Sequence, residues 1–151
     1  MRQQGDRIPG PGGSPARKKR TKAPKAPKGP TPRRRLGDAG ERYAARLLEA
    51  GGHTVLARQW RCPEGELDLV TLDGEELVFV EVRTRRGGRF GTPEESIDPR
   101  KAARLLRLGD HYLAAHPEHE RRIWRVDLVA IVLDAAGRIV RATHHANAVS
   151  G

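Results

Sequence analysis

The run Leu77-Val78-Phe79-Val80-Glu81-Val82-Arg83 constrains this chain more than any other stretch. Apolar residues at Leu77 to Val80 and again at Val82 read as a strand covered on both faces. Glu81 interrupts that run. A carboxylate there costs on the order of several kcal/mol unless it is paired, hydrogen-bonded or metal-bound. Asp68 poses the same problem inside Leu67-Asp68-Leu69-Val70. Asp73-Gly74 is a turn signal between the two segments, so they are expected to form an antiparallel hairpin. A two-residue loop of Asp73-Gly74 sets Asp68 opposite Phe79, with Glu81 diagonal to it. A four-residue loop sets Asp68 directly opposite Glu81. Either register places both carboxylates on one face, a few ångströms apart. Arg83, two residues beyond Glu81, shares that face.

The rest of the chain supplies covering layers. Leu36, Gly40, Tyr43, Ala44, Leu47 and Leu48 recur at helical spacing. They predict a helix from about Asp38 to Ala50, stopped by Gly51-Gly52. His53 to Arg61 and Glu66 to Leu72 read as strands, and Leu77 to Arg83 as the third. Arg85 to Glu95 is a Gly-rich loop. Asp98-Pro99 forms an N-cap and N1 pair that opens a second helix to about Ala115. Ile123 to Leu133 and Arg138 to Ala142 are the last two strands. The order αβββαββ predicts an α/β domain, a mixed sheet flanked by helices.

Charge divides the chain. Residues 1–35 hold twelve Lys or Arg and one acidic residue, whereas residues 36–151 hold 17 basic and 18 acidic side chains. The first segment is rich in Pro, Gly and Lys, with Ile8 its one large aliphatic residue. Such a composition cannot offset its own ordering entropy, so a disordered basic tail is expected over 1–35 and a folded domain over 36–151. The tail suits sequence-blind phosphate contacts. A solvated leader without function is the alternative. The single cysteine, Cys62, excludes an internal disulfide and points to a reducing compartment. No run of 18 apolar residues is present, so no membrane span is expected. A cytoplasmic location is the resulting expectation.

Two adjacent carboxylates repel, and a divalent cation resolves the repulsion. Oxygen ligands without Cys or His favour Mg²⁺ or Mn²⁺. Structural ion pairs of Asp68 or Glu81 with arginine are the other reading. Glu41 lies at the rim of the first helix's apolar stripe, about 20° from Leu48, within reach of the sheet edge. Glu66 shares a strand face with Asp68 and is a lesser ligand candidate. Arg83, Arg85, Arg86 and Arg89 form a cationic patch suited to nucleic acid. Lys101, Arg104 and Arg107 form a basic stripe on the second helix, either phosphate-contacting or simply solvated. Asp127 in an apolar strand is a weak candidate. His116, His119, His144 and His145 lack partners at zinc-site spacing. Trp60 and Trp124 are expected in the core.

The segments Gly40-Glu41, Gly65-Glu66-Leu67-Asp68-Leu69-Val70 and Val78-Phe79-Val80-Glu81-Val82-Arg83-Thr84-Arg85 resemble the YraN family of bacterial proteins. Lys101 and Arg125-Val126-Asp127-Leu128-Val129 fit the same pattern. That family is similar to archaeal Holliday-junction resolvases of the PD-(D/E)XK nuclease superfamily. The resemblance runs from about Leu36 to the C-terminus. It implies a restriction-endonuclease-like core and a catalytic metal site of Glu41, Asp68 and Glu81. Arg83 falls where that superfamily usually has lysine. It also implies Mg²⁺- or Mn²⁺-dependent cleavage of branched or structured DNA, by a homodimer if the likeness to resolvases extends to assembly. Nucleic-acid contacts are expected at Arg85, Arg86, Arg89, Lys101 and Arg104. A DNA- or RNA-binding protein that keeps the nuclease fold without its chemistry is the alternative, as is an RNA- or ribosome-binding scaffold.

Overall fold

The computed structural model describes residue 29, residues 31–87 and residues 97–149. Most of the basic segment, and the expected Gly-rich loop from Gly88 onward with Arg89, lie outside the described residues, whereas Arg85 and Arg86 belong to a strand. The elements are α1 (Pro32–Ala50), β1 (Thr54–Cys62), β2 (Gly65–Asp73), β3 (Glu76–Arg86), α2 (Pro99–Ala115), a 3₁₀ turn (Pro117–His119), β4 (Trp124–Leu133) and β5 (Ile139–His145). Among the described residues no helix is long and apolar enough to cross a membrane.

The sheet keeps chain order, β1-β2-β3-β4-β5. Neighbours are antiparallel except β3 and β4, which are parallel and joined through α2. The described residues thus form an α/β fold with a mixed five-stranded sheet and two α-helices. Helix α1 starts at Pro32, ahead of the expected Asp38. Thr31 Oγ1 accepts from the Arg34 N–H at 3.2 Å, and proline at the first position needs no donor partner. Strand β3 runs on to Arg86 because its parallel partner β4 pairs with it as far as Arg86↔Leu133.

The β2–β3 hairpin closes through Gly74-Glu75 between the pair Asp73↔Glu76. Gly74 has φ 61°, a left-handed conformation that glycine takes at no steric cost. The register continues through Leu69↔Val80 and then stops. Extended by one step it would set Asp68 opposite Glu81, the arrangement expected of the longer loop.

Side chains alternate between two layers. Val78 and Val80 pack with Ala44, Ala45 and Leu48 of α1. Leu77 and Phe79 pack with Leu105, Leu108 and Tyr112 of α2. Strand β2 breaks this alternation at Asp68. Leu69 faces the α1 layer, yet Leu67 and Val70 both face the α2 layer. Trp60 and Trp124 pack against the α2 cluster, as the core assignment required.

Gly40 lets α1 approach β3 closely. A Cβ there would sit 2.2 Å from Thr84 Oγ1, a buried hydroxyl without a hydrogen-bond partner. Gly40→Ala is expected to destabilise the domain by about 1–3 kcal/mol through overpacking. Adding Thr84→Ala removes the clashing oxygen and should recover most of that loss, as read by urea unfolding.

Asp127 belongs to a structural network near the hairpin turn. Fully buried, it accepts from Arg125 Nε at 2.9 Å and from the Asn147 N–H at 2.9 Å, and lies 2.7 Å from His144 Nε2. Arg125 also bonds Asp73 and Glu76. His53 Nδ1 lies 2.9 Å from Thr71 Oγ1 in the same layer.

Candidate metal centre

Carboxylates from both layers meet where β2 and β3 part. Asp68 Oδ2 accepts from the Val82 backbone N–H at 2.8 Å, so the side chain replaces a ladder acceptor that β2 no longer offers. Glu41 reaches the spot from α1 and Glu66 from β2. One ligand oxygen from each of Glu41, Glu66 and Asp68 lies within 4.8 Å of the others. Among the described residues this is the group of three with metal-ligand spacing.

Glu81 stands beside Asp68 on the α2 side. Its Oε1 lies 2.7 Å from Lys101 Nζ and 3.2 Å from Arg83 Nε. The Arg83 approach is an ion pair without a hydrogen bond, since that buried Nε has no partner of adequate geometry. The implied trio of Glu41, Asp68 and Glu81 is therefore present as neighbours. The tightest oxygen set, however, substitutes Glu66, which accepts from Arg61 Nε at 2.9 Å, for Glu81, which Lys101 and Arg83 hold.

Electrostatics follow from this crowding. Burial, then the charge of Glu81, pushes the Asp68 carboxyl up to about 9, against the opposing Val82 N–H. Burial raises Glu81 as well, offset by Arg83. Burial raises Glu41, offset by the amide of Gln59. Without a cation the cluster cannot hold all its charges at neutral pH, and a divalent ion removes that cost. The all-oxygen donor set fits Mg²⁺ or Mn²⁺.

A cleft of about 430 Å³ opens over the cluster, lined by Glu41, Asp68, Glu81, Arg83, Arg85 and Arg86 among others. Arg85 and Arg86 are exposed at its rim. The second-helix stripe divides three ways. Lys101, expected to contact phosphate, turns its ammonium inward onto the buried carboxylate of Glu81. Arg104 lies against Gly65 at the β1–β2 turn. Arg107 pairs with Glu64 at 3.4 Å. Of the histidines, His116 stacks on Tyr112 and His119 Nδ1 accepts from Arg122 Nε.

Gln59 on β1 escaped the sequence reading. Its amide donates to Asp38 Oδ1 at 2.9 Å and to Glu41 Oε2 at 2.8 Å. An amide in a weakly alternating strand carries no pattern that would have revealed it.

The profile of the uncharacterised protein family UPF0102 matches residues 40–131. That span contains Glu41, Gln59, Glu66, Asp68, Glu81, Arg83 and Lys101. A UPF0102 protein of Beutenbergia cavernae is 53% identical over 102 residues, covering 68% of this chain and 86% of the relative. One of Chloroflexus aurantiacus is 47% identical over 115 residues, covering 76% and 92%. One of Moorella thermoacetica is 50% identical over 107 residues, covering 71% and 88%. The chain belongs to UPF0102, the family named YraN above.

Proposed function

We propose that the protein is a metal-dependent endonuclease of the PD-(D/E)XK type acting on branched or structured DNA. The observation that carries this reading is the meeting of Glu41, Glu66, Asp68 and Glu81 under an arginine-lined cleft. Glu41, Glu66 and Asp68 would hold Mg²⁺ or Mn²⁺, with Glu81 adjoining through Asp68. Such an ion supplies Lewis-acid polarisation of a phosphoryl oxygen. Arg83 orients the scissile phosphate, and its guanidinium suits that role better than proton transfer. Lys101 holds Glu81 in place and supplies an ammonium inside the site, where the superfamily's usual lysine is replaced by Arg83. Arg85 and Arg86 grip the flanking backbone. The basic segment, residues 1–35, adds salt-dependent attraction.

A second reading has its own observation. Glu81 is neutralised by Lys101 and Arg83, which weakens its claim as a ligand. A protein that binds nucleic acid without cutting it would tolerate that pairing. Incubation with linear duplex, single-stranded and four-way-junction DNA in Mg²⁺ or Mn²⁺ separates the two. Cleavage that is lost with Asp68→Asn and Glu81→Gln supports the enzyme. Intact DNA on every substrate, with variants that bind as the parent does, overturns it in favour of the binding protein.

A further inference from the structure

We propose that Gln59 is a positioning residue that fixes Glu41 for ion binding. The inference rests on the reading of Glu41 and Asp68 as ion ligands.

Three observations meet at Gln59. First, its backbone sits at φ 48°, a left-handed conformation inside a strand and outside any glycine. Side chains other than Gly, Asn and Asp rarely adopt it, and residues held so tend to cluster where geometry serves a site. Second, the β1–β2 ladder passes from Arg58↔Leu69 to Trp60↔Leu67. It skips the one step where Gln59 would face Asp68. The irregularity in β1 thus lies across from the irregularity in β2 that carries the central carboxylate. Third, the amide spends both of its N–H donors on α1, bridging Asp38 and Glu41. Those two carboxylates lie three residues apart on one helix face.

The chemistry of an amide suits this task. A lysine or arginine at the same place would also grip Glu41, but its charge would cancel the negative field that attracts a cation. A neutral donor holds the carboxylate at Oε2 and leaves its charge in place. Gln59 engages Oε2, and a carboxylate oxygen of Glu41 stays within 4.8 Å of ligand oxygens of Glu66 and Asp68. Glutamine is also long enough to span from β1 to the helix. Asparagine would sit more comfortably at this φ but is one methylene shorter.

A purely structural tie between β1 and α1 is the alternative, and the two are separable. Gln59→Gly relieves the backbone and deletes the amide. Gln59→Asn keeps an amide on a tolerant backbone but falls short of Glu41. Mn²⁺ affinity is measured by calorimetric titration, and the melting temperature is measured in EDTA. Both variants should melt at or above the parent without metal, yet bind Mn²⁺ about 10-fold more weakly, the scale of an outer partner of a metal ligand. Either variant binding Mn²⁺ as tightly as a parent that does bind overturns the role of Gln59 alone. A lower melting temperature in both, with unchanged Mn²⁺ affinity, shows a structural tie and overturns it too. A parent that binds no Mn²⁺ removes the ion reading first, and this inference with it.

Discussion

Asp68→Asn should abolish cleavage, weaken Mn²⁺ binding by about 100-fold or more, and stabilise the ion-free domain. The substituted side chain keeps a carbonyl oxygen for the Val82 N–H, so the junction of β2 and β3 survives. Its amide N–H₂ can donate to the neighbouring carboxylates instead of repelling them. What disappears is a buried negative charge surrounded by Glu81, Glu41 and Glu66. In the parent without metal, folding raises the Asp68 pKa from the usual carboxylate range to about 9. A raised carboxyl pKa favours the folded state fully only below the unfolded value, near 4. That contribution drains away as pH climbs through about 9. The parent in EDTA should therefore lose stability between pH 5 and pH 9, and Asp68→Asn should flatten that slope. At pH 8 the variant is expected to be more stable by about 2 kcal/mol or more. Mn²⁺ at 100 times its dissociation constant should restore about 2.7 kcal/mol to the parent and almost nothing to the variant. Thermal melts across pH, with EDTA and with Mn²⁺, read all of this. A variant that is less stable in EDTA and still binds Mn²⁺ would exclude Asp68 as the central ligand.

Lys101→Met should destabilise the domain strongly for a substitution of one polar side chain on α2. It removes the closest cation, 2.7 Å from Glu81, and leaves Arg83 at an angle that makes no hydrogen bond, with Arg104 and Arg85 acting only through their charge. Stranding one partner of a buried pair costs more than removing both. A loss of about 2–3 kcal/mol is expected from urea unfolding, with Glu81→Gln milder. The double variant Glu81→Gln/Lys101→Met should recover most of the deficit, giving a coupling well above 1 kcal/mol in order of magnitude. If the double variant is as unstable as the sum of the singles, the pair is not a pair. Where the parent cleaves, Lys101→Met should lower the rate by about 100-fold, the scale of one lost electrostatic partner.

Element order and the identity of the central carboxylates were readable before any coordinates, and for one reason. Burial imposes a pattern on side chains, so Glu81 and Asp68 stood out as charges in apolar strands. Helix α2 was readable at both ends because Asp98-Pro99 is a strong start signal and its apolar spacing is regular. The start of α1 was missed because Thr31-Pro32 precedes an arginine run whose composition argues against order. The hairpin register stayed open between two loops, because one Gly in a turn does not say which loop positions it occupies. The roles of Glu66 and Lys101 were harder still. Both follow from the slip in alternation at Asp68 and from how far α2 leans over β3, and neither is a property of local sequence. Gln59 left no trace at all, since a backbone angle is not written in a residue's polarity.

The early start of α1 has a consequence for how the basic arm could act. Leu36 and Gly37 form part of the cleft wall, and Thr31 caps the same helix five residues before Leu36. That is about 8 Å of rigid rod. Under the proposed function, any nucleic acid bound by residues 1–30 would be held by a chain covalently joined to this wall of the cleft. Weak contacts of that kind would then act at high local concentration near the carboxylate cluster.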